Sequence, residues 1–488
     1  MSENIIKINS RDDLKNKNLD LNDLKVLDSI QLDKRSYSIG LMKSIIFTAI
    51  AVIVFFIPIN INGQTDVPFG FIYNFIKDAL GLFGLWAITI VIVFNGILSV
   101  YGKFFAKESS KIKAYYDGDS KVHPFLYLLG GFFIVGYALD ATFTGFIAPE
   151  WLVSSATGGT VIPAIVLGVA WIIPVGAFFM PFLLNYGAID FFGALLEPLM
   201  RPMFKIPGCA AVDALASFVS SSSVAVLITN KLYRSDVYTE KEACLIVTGF
   251  SAVSVGFAYM VIKTAGLAEH FLPVYFIALL ITLIISFFMC RIPPLSRKSD
   301  IYFSGRIQDK EMVKNEASYK GNVFRKGLDR AVKKAYTANN IFYEIKDSLI
   351  DGYIVFPKVL SLLTAVGISA LIIAEYTPLF QWIGALFVPI LKLFRVPNAV
   401  EIAPSMPIGI AEMFLPVLLI ADKVELLDIG ARYVVTTVSI VQLIFFSETI
   451  VVMMATKMPI KLKELIICFF ERTLIAIPLA ALFMHILF

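Results

Sequence analysis

The sequence predicts an all-α polytopic membrane protein built on an inverted-topology repeat with two re-entrant hairpins. Three observations lead there. Of 488 residues, 58% are hydrophobic and 16% charged, and the mean hydropathy is +0.77, well beyond a soluble domain. Apolar runs long enough for a helix to cross a hydrocarbon core recur along the chain. Finally, Ala211-Val212-Asp213 and Ser217 return 188 residues later as Ala399-Val400-Glu401 and Ser405. At the same offset Ala243, Val247, Thr248, Ser251, Val253 and Phe257 return as Ala431, Val435, Thr436, Ser439, Val441 and Phe445. An internal repeat among membrane spans is the usual signature of a secondary transporter.

Residues 1–40 mix acids and bases and lack the apolar run and cleavage site of a signal peptide, so a cytoplasmic tail is expected. Spans are expected near 41–59, 79–101, 125–147, 161–184, 243–265, 272–290, 353–375, 432–455 and 465–487. The stretches 207–229 and 397–420 are apolar but carry Pro, Gly, Ser and an acid near their starts. They read as hairpins, because broken backbone at membrane depth survives only inside protein or beside a wet cavity. Before each lies an amphipathic interfacial helix, 188–205 and 379–396. The organisation expected is thus 41–160 scaffold helices, 161–290 the first repeat, 291–352 a cytoplasmic linker and 353–488 the second repeat.

Lysine and arginine set the orientation. Lys103, Lys107, Lys111, Lys113 and Lys121 put the segment after the second span in the cytoplasm. Arg201, Lys205, Lys231, Arg234 and Lys241 do the same for the first hairpin, and the basic segment 291–346 agrees. Counting spans onward, the second hairpin enters from outside, so the repeats are opposed. Lys457, Lys461 and Lys463 close the scheme inside, while Lys392 and Arg395 run against it.

Neither the four cysteines nor the three histidines show metal-ligand or redox spacing. No metal, haem, disulfide or other cofactor is expected, and a net charge of +4 gives no reason for a nucleic-acid partner. No G-x-S-x-G, H-E-x-x-H or Ser/His pair in a span points to an enzyme, so no catalytic residue is assigned.

The run Ile206-Pro207-Gly208-Cys209-Ala210-Ala211-Val212-Asp213, continuing to Ser220-Ser221-Ser222-Ser223-Val224, resembles the nucleoside-recognition, or Gate, domain. Over residues 40–488 the chain looks like the YjiH-like family of bacterial inner-membrane proteins. The order of span, interfacial helix, hairpin, span, span, used twice over 161–488, is similar to concentrative nucleoside transporters. That resemblance implies an elevator mechanism, a hairpin-tip substrate site and a coupling cation.

The residues supply candidates. Asp213 and Glu401 hold matching places near the two hairpin starts and serve as helix caps or as ligands. Ser217 returns as Ser405 of the second hairpin, and Ser221 and Ser222 lie where the first should turn, offering oxygens to a solute or cation or satisfying their own backbone. Thr248, Ser251 and Ser254 match Thr436, Ser439 and Gln442, and steps of three keep each set near one helix face. They pack helices or line a solute path. Glu412 and Glu448 sit in apolar stretches without a charged neighbour in sequence and, with Ser254, are candidates for ion coupling, by proton or by Na⁺. Asp140 reads as a scaffold buttress, and Glu471-Arg472 is left out as a helix-end or local pair.

The function expected is ion-coupled transport of a small polar solute, nucleoside-like or cationic, by an elevator motion in the bacterial inner membrane. The partners are that solute and the bilayer, and a homo-oligomer is compatible. The alternative is a non-transporting scaffold or sensor that uses the Gate element.

Overall fold

In the computed structural model, described for all residues but 1–5, 9–23, 58, 62–63, 118, 213, 215–221, 251–254, 320 and 422, the chain is an all-α polytopic membrane protein. Among the described residues, seven helices are long and apolar enough to cross a membrane: Lys34–Phe55, Pro68–Phe105, His123–Thr142, Glu150–Leu184, Ala268–Met289, Ile341–Tyr376 and Leu462–Leu487. Each overlaps one expected span. The other two expected spans, 243–265 and 432–455, are not continuous. The second runs as Ile429–Gln442 and Thr449–Ala455, with an unwound segment between. The first yields Glu240–Gly249 and Val255–Thr264 on either side of residues 251–254, which lie outside the described ones.

The chain divides into two compact units: residues 1–71, 174–251 and 286–352, and residues 72–173, 252–285 and 353–488. In the first unit the interfacial helix Ala188–Phe204 is delimited by two left-handed residues, Gly187 (φ 92°) and Lys205 (φ 58°). Asp190 in its first turn and Arg201 in its last suit the helix dipole. Arg201 pairs with Glu197 at 2.8 Å and with Glu242, whose backbone and side chain form a capping box with Thr239.

The linker in this unit is folded. Its helix Val323–Thr337 packs on both Lys34–Phe56 and the interfacial helix. A Cβ on Gly40 would stand 2.5 Å from the Val332 carbonyl oxygen, and one on Gly187 2.5 Å from that of Ala331. Only glycine permits this approach. The tail joins the same surface. Leu27 and Ile30 pack with Tyr336, Ser36 donates to the Tyr336 hydroxyl at 2.9 Å, and Arg330 grips Asp28 and Glu316. Ile6–Ile8 pairs in parallel with Ile30–Leu32. Over residues 24–36 the expected tail is bound to the linker.

In the second unit, the long helix Pro68–Val100 kinks at Gly81 (φ 43°, ψ −125°). Lys358, buried in Ile341–Leu362, pairs with Asp119 at 2.9 Å, and Lys457 reaches the same carboxylate at 3.5 Å. Two lysine-rich links expected on one membrane face thus share a carboxylate. Asp140 accepts from the Ala148 backbone at 2.8 Å, a loop-fixing bond of the buttressing kind.

Candidate functional site

The second hairpin assembles from short pieces: Ala399–Ile402, Ser405–Ile408 and, after a turn, Leu415–Ala421. Pro404, Pro407 and Gly409 keep these pieces short, since Pro removes a donor and clashes with the preceding turn. Asn398, left-handed at φ 49°, opens the first arm and accepts from the Asp428 backbone at 3.0 Å. Glu412 begins the second arm, its carboxylate accepting from the Phe414 and Leu415 amides. An acid at that place satisfies two of the donors a helix start leaves open.

The helix Ile429–Gln442 stops where Leu443 turns left-handed (φ 53°). Its freed backbone groups find two partners. Thr449 accepts from the Phe445 amide at 2.9 Å and donates to the Leu443 carbonyl at 3.0 Å. The hairpin takes two more: Phe446 donates to the Ile410 carbonyl at 2.7 Å and Ser447 to that of Ala411 at 3.0 Å. Glu412 and Glu448 each follow a paired residue directly.

Side chains strengthen the seam. Gln442 Nε2 donates to the Met406 carbonyl at 2.6 Å and to Thr473 at 3.0 Å, and Ser439 donates to the Met413 carbonyl. Along this seam three buried oxygens, Ser405 Oγ, Gln442 Oε1 and Ser447 Oγ, have no hydrogen-bond partner among the described residues. A buried polar atom left so costs roughly 1–3 kcal/mol, so three along one seam mark a place for a ligand, ion or water.

The remaining candidates fall elsewhere. Thr436 and Thr248 spend their hydroxyls on the carbonyls of Arg432 and Cys244 in their own helices, as packing residues do. Glu401 is exposed, and no hydrogen bond of its carboxylate occurs among the described residues, so it caps nothing there. Ser222 starts the helix Ser222–Arg234, in the stretch expected to form the second arm of the first hairpin. Asp213, Ser217, Ser221, Ser251 and Ser254 lie outside the described residues.

Sequence reasoning passed over three groups. Ser447 precedes Glu448 and looked like a neighbour of no account. Thr473 and Arg472 belong to Leu462–Leu487. Arg472 is not at a helix end: it is fully buried mid-helix and donates twice to the Val441 carbonyl, one residue before Gln442. A cation in the middle of an apolar span was the signal available. Among the described residues, no group of three or more His, Cys, Asp or Glu could hold a metal ion.

The fold and this seam define a multi-pass membrane protein with a hairpin seated in a broken helix. Residues 166–268 match the Gate domain, described as nucleoside recognition. An uncharacterised protein of Alkalihalophilus pseudofirmus is 32% identical over 453 residues, which are 92% of this chain and 95% of that protein. The chain belongs to that protein's family, and its own Gate match is in keeping with the YjiH-like resemblance. Among solved structures it is similar to a double variant of CNTnw in an outward-facing state, at 14% identity and a TM-score of 0.47, over 92% of this chain and 99% of that one.

Proposed function

We propose that the protein is an ion-coupled secondary transporter of a small polar solute, nucleoside-like or cationic, in the bacterial inner membrane. The observation that carries this reading is the seam between the second hairpin and the broken helix. Broken helices and re-entrant backbone are the parts from which transporters build midplane sites. Here the seam is held by two main-chain hydrogen bonds and carries the unpartnered oxygens of Ser405, Gln442 and Ser447. The Gate match over residues 166–268 supports a nucleoside-like solute.

In this reading the solute's hydroxyls or amides pair with Ser405, Ser447 and Gln442. Glu412 and Glu448, each one residue beyond the bonded pair Ala411 and Ser447, share the cavity in this reading and do not both stay charged without a proton or a cation between them. That charge is the coupling ion, and its departure frees the solute. The two repeats are inserted in opposite senses and the unit carrying the site moves as an elevator. Uptake of labelled nucleosides, bases and amines into proteoliposomes, with and without Na⁺ and pH gradients, tests the proposal. Gradient-driven accumulation lost in Gln442→Ala supports it, and absence of any accumulation refutes it.

A further inference from the structure

In the second unit, a groove of about 480 Å³ runs between the helices Pro68–Val100 and Ile341–Leu362. Phe94 and Leu98 line it from the first helix, Tyr353 and Ile354 from the second. Both helices are long and apolar enough to span a membrane, and Phe94, Tyr353 and Ile354 are each more than half exposed. The short helix Lys111–Asp117 packs on the turn Tyr101–Phe105 that ends the first helix, and adds Lys111 and Tyr115 to the groove. It can lie there because residue 102 is glycine: a Cβ at that position would stand 2.6 Å from the Tyr116 ring. Tyr115 ties it to the second wall, donating to the Ile354 carbonyl at 2.5 Å.

The polar groups behind the groove are spent. Tyr116 donates to Asn95 Oδ1 at 2.8 Å, and Asn95 Nδ2 donates to Ser361 at 2.8 Å. Lys111 differs. Among the described residues that line the groove it is the one that carries charge, it is exposed, and its ammonium makes no ion pair or hydrogen bond among the described residues. Of the acids in its segment, Glu108 pairs with Lys113 at 3.2 Å, Asp119 pairs with Lys358, and Asp117 stands at the other end of the short helix. The walls of a groove left unfilled forfeit dispersion contact. An exposed lysine at one end of an apolar groove between membrane helices matches a molecule with an anionic head and a long apolar chain.

We propose that this groove holds one anionic phospholipid. Its headgroup phosphate pairs with Lys111, and one acyl chain lies along Phe94, Leu98, Tyr353 and Ile354. The site uses no residue of the second hairpin, so it stands independently of the transport reading.

The test is native mass spectrometry of the purified full-length protein titrated in detergent with phosphatidylglycerol, or with phosphatidylcholine of the same chains. One phosphatidylglycerol per chain is expected to be retained in preference to phosphatidylcholine by about fivefold, the worth of one lysine beside anionic lipid. Lys111→Gln should remove the preference. Ile354→Trp, which fills the groove without changing charge, should weaken retention of both lipids. Lys121→Gln changes a lysine of the same segment that does not line the groove, and should keep the preference. Equal retention of the two lipids by the wild type overturns the proposal, as does retention unchanged in Ile354→Trp. A preference that survives Lys111→Gln, or falls as much in Lys121→Gln, overturns it by showing diffuse attraction to the whole basic segment. Inorganic phosphate that raises the melting temperature as much as phosphatidylglycerol does would make the site one for a free anion, and also overturns it.

Discussion

Gln442 and Gly409 meet so closely that a Cβ on residue 409 would stand 1.8 Å from Gln442 Oε1. The repeated polar stripe reaches the hairpin through this contact. Gly409→Ala must turn the glutamine away and break its bonds to Met406 and Thr473. A loss of about 1–3 kcal/mol is expected. Chemical or thermal unfolding in detergent of both single variants and of Gly409→Ala with Gln442→Ala reads it. Because the two substitutions remove the same interaction, the double variant should fall well short of additive. Additive losses would disprove the contact.

Ser405 and Ser447 separate ligand from structural roles. Their hydroxyls have no partner among the described residues, so Ser405→Ala and Ser447→Ala should leave the melting temperature of the solute-free protein unchanged or raised. Solute binding should weaken in both. A marked drop in solute-free stability would instead give these serines a packing role.

Glu448 and Glu412 differ in what each already does. Glu412 caps the second arm, and glutamine keeps an acceptor there; no side-chain cap bond is made by Glu448. Glu448→Gln is expected to abolish the dependence of solute affinity on Na⁺ or on pH, with Glu412→Gln milder. Affinity measured across pH and Na⁺ decides it, and a wild type indifferent to both leaves no coupling to explain.

Glu316 in the linker gives a pH prediction. Burial would raise its carboxyl, but hydrogen bonds and charge from Arg330 and Lys326 outweigh that and hold it below the usual carboxylate range. A folded value below the unfolded one stabilises above the unfolded value and is lost as pH falls through the folded one. The tail and linker should therefore loosen only below about pH 4.5, the ordinary carboxylate region. Hydrogen exchange of residues 24–36 follows this, and Glu316→Gln should move the loosening to neutral pH. Protection unchanged in that variant would remove Glu316 from the latch.

Orientation of the repeats is a matter of labelling. Single cysteines at 235 and 425, in a background without the native four, should react with impermeant reagent from opposite sides of the membrane. Labelling from one side alone would end the inverted arrangement.

Hydropathy and the repeat made the architecture legible. Each of the seven long helices follows from a run of apolar residues, and a span's length is fixed by bilayer thickness, a local property. The second hairpin announced itself through Pro404, Pro407 and Gly409, residues that forbid a continuous helix wherever they fall. The repeated stripe pointed to Ser439 and Gln442, but it also included Thr436 and Thr248, whose hydroxyls turned back on their own helices. Spacing gives the face of a helix, not what stands opposite it.

The sequence alone determined that this is a multi-pass membrane protein with a broken segment over 397–420, because composition, periodicity and helix breakers act over a few residues. Tertiary structure alone decided where the span 432–455 breaks, which serines remain unpartnered and that Arg472 is buried behind Gln442. The tail's hold on the linker was equally hidden, since Asp28 and Arg330 meet across 302 residues of sequence. Such outcomes depend on which backbone groups from distant segments satisfy one another. A hydrogen bond between residues 411 and 447 has no local signature in either.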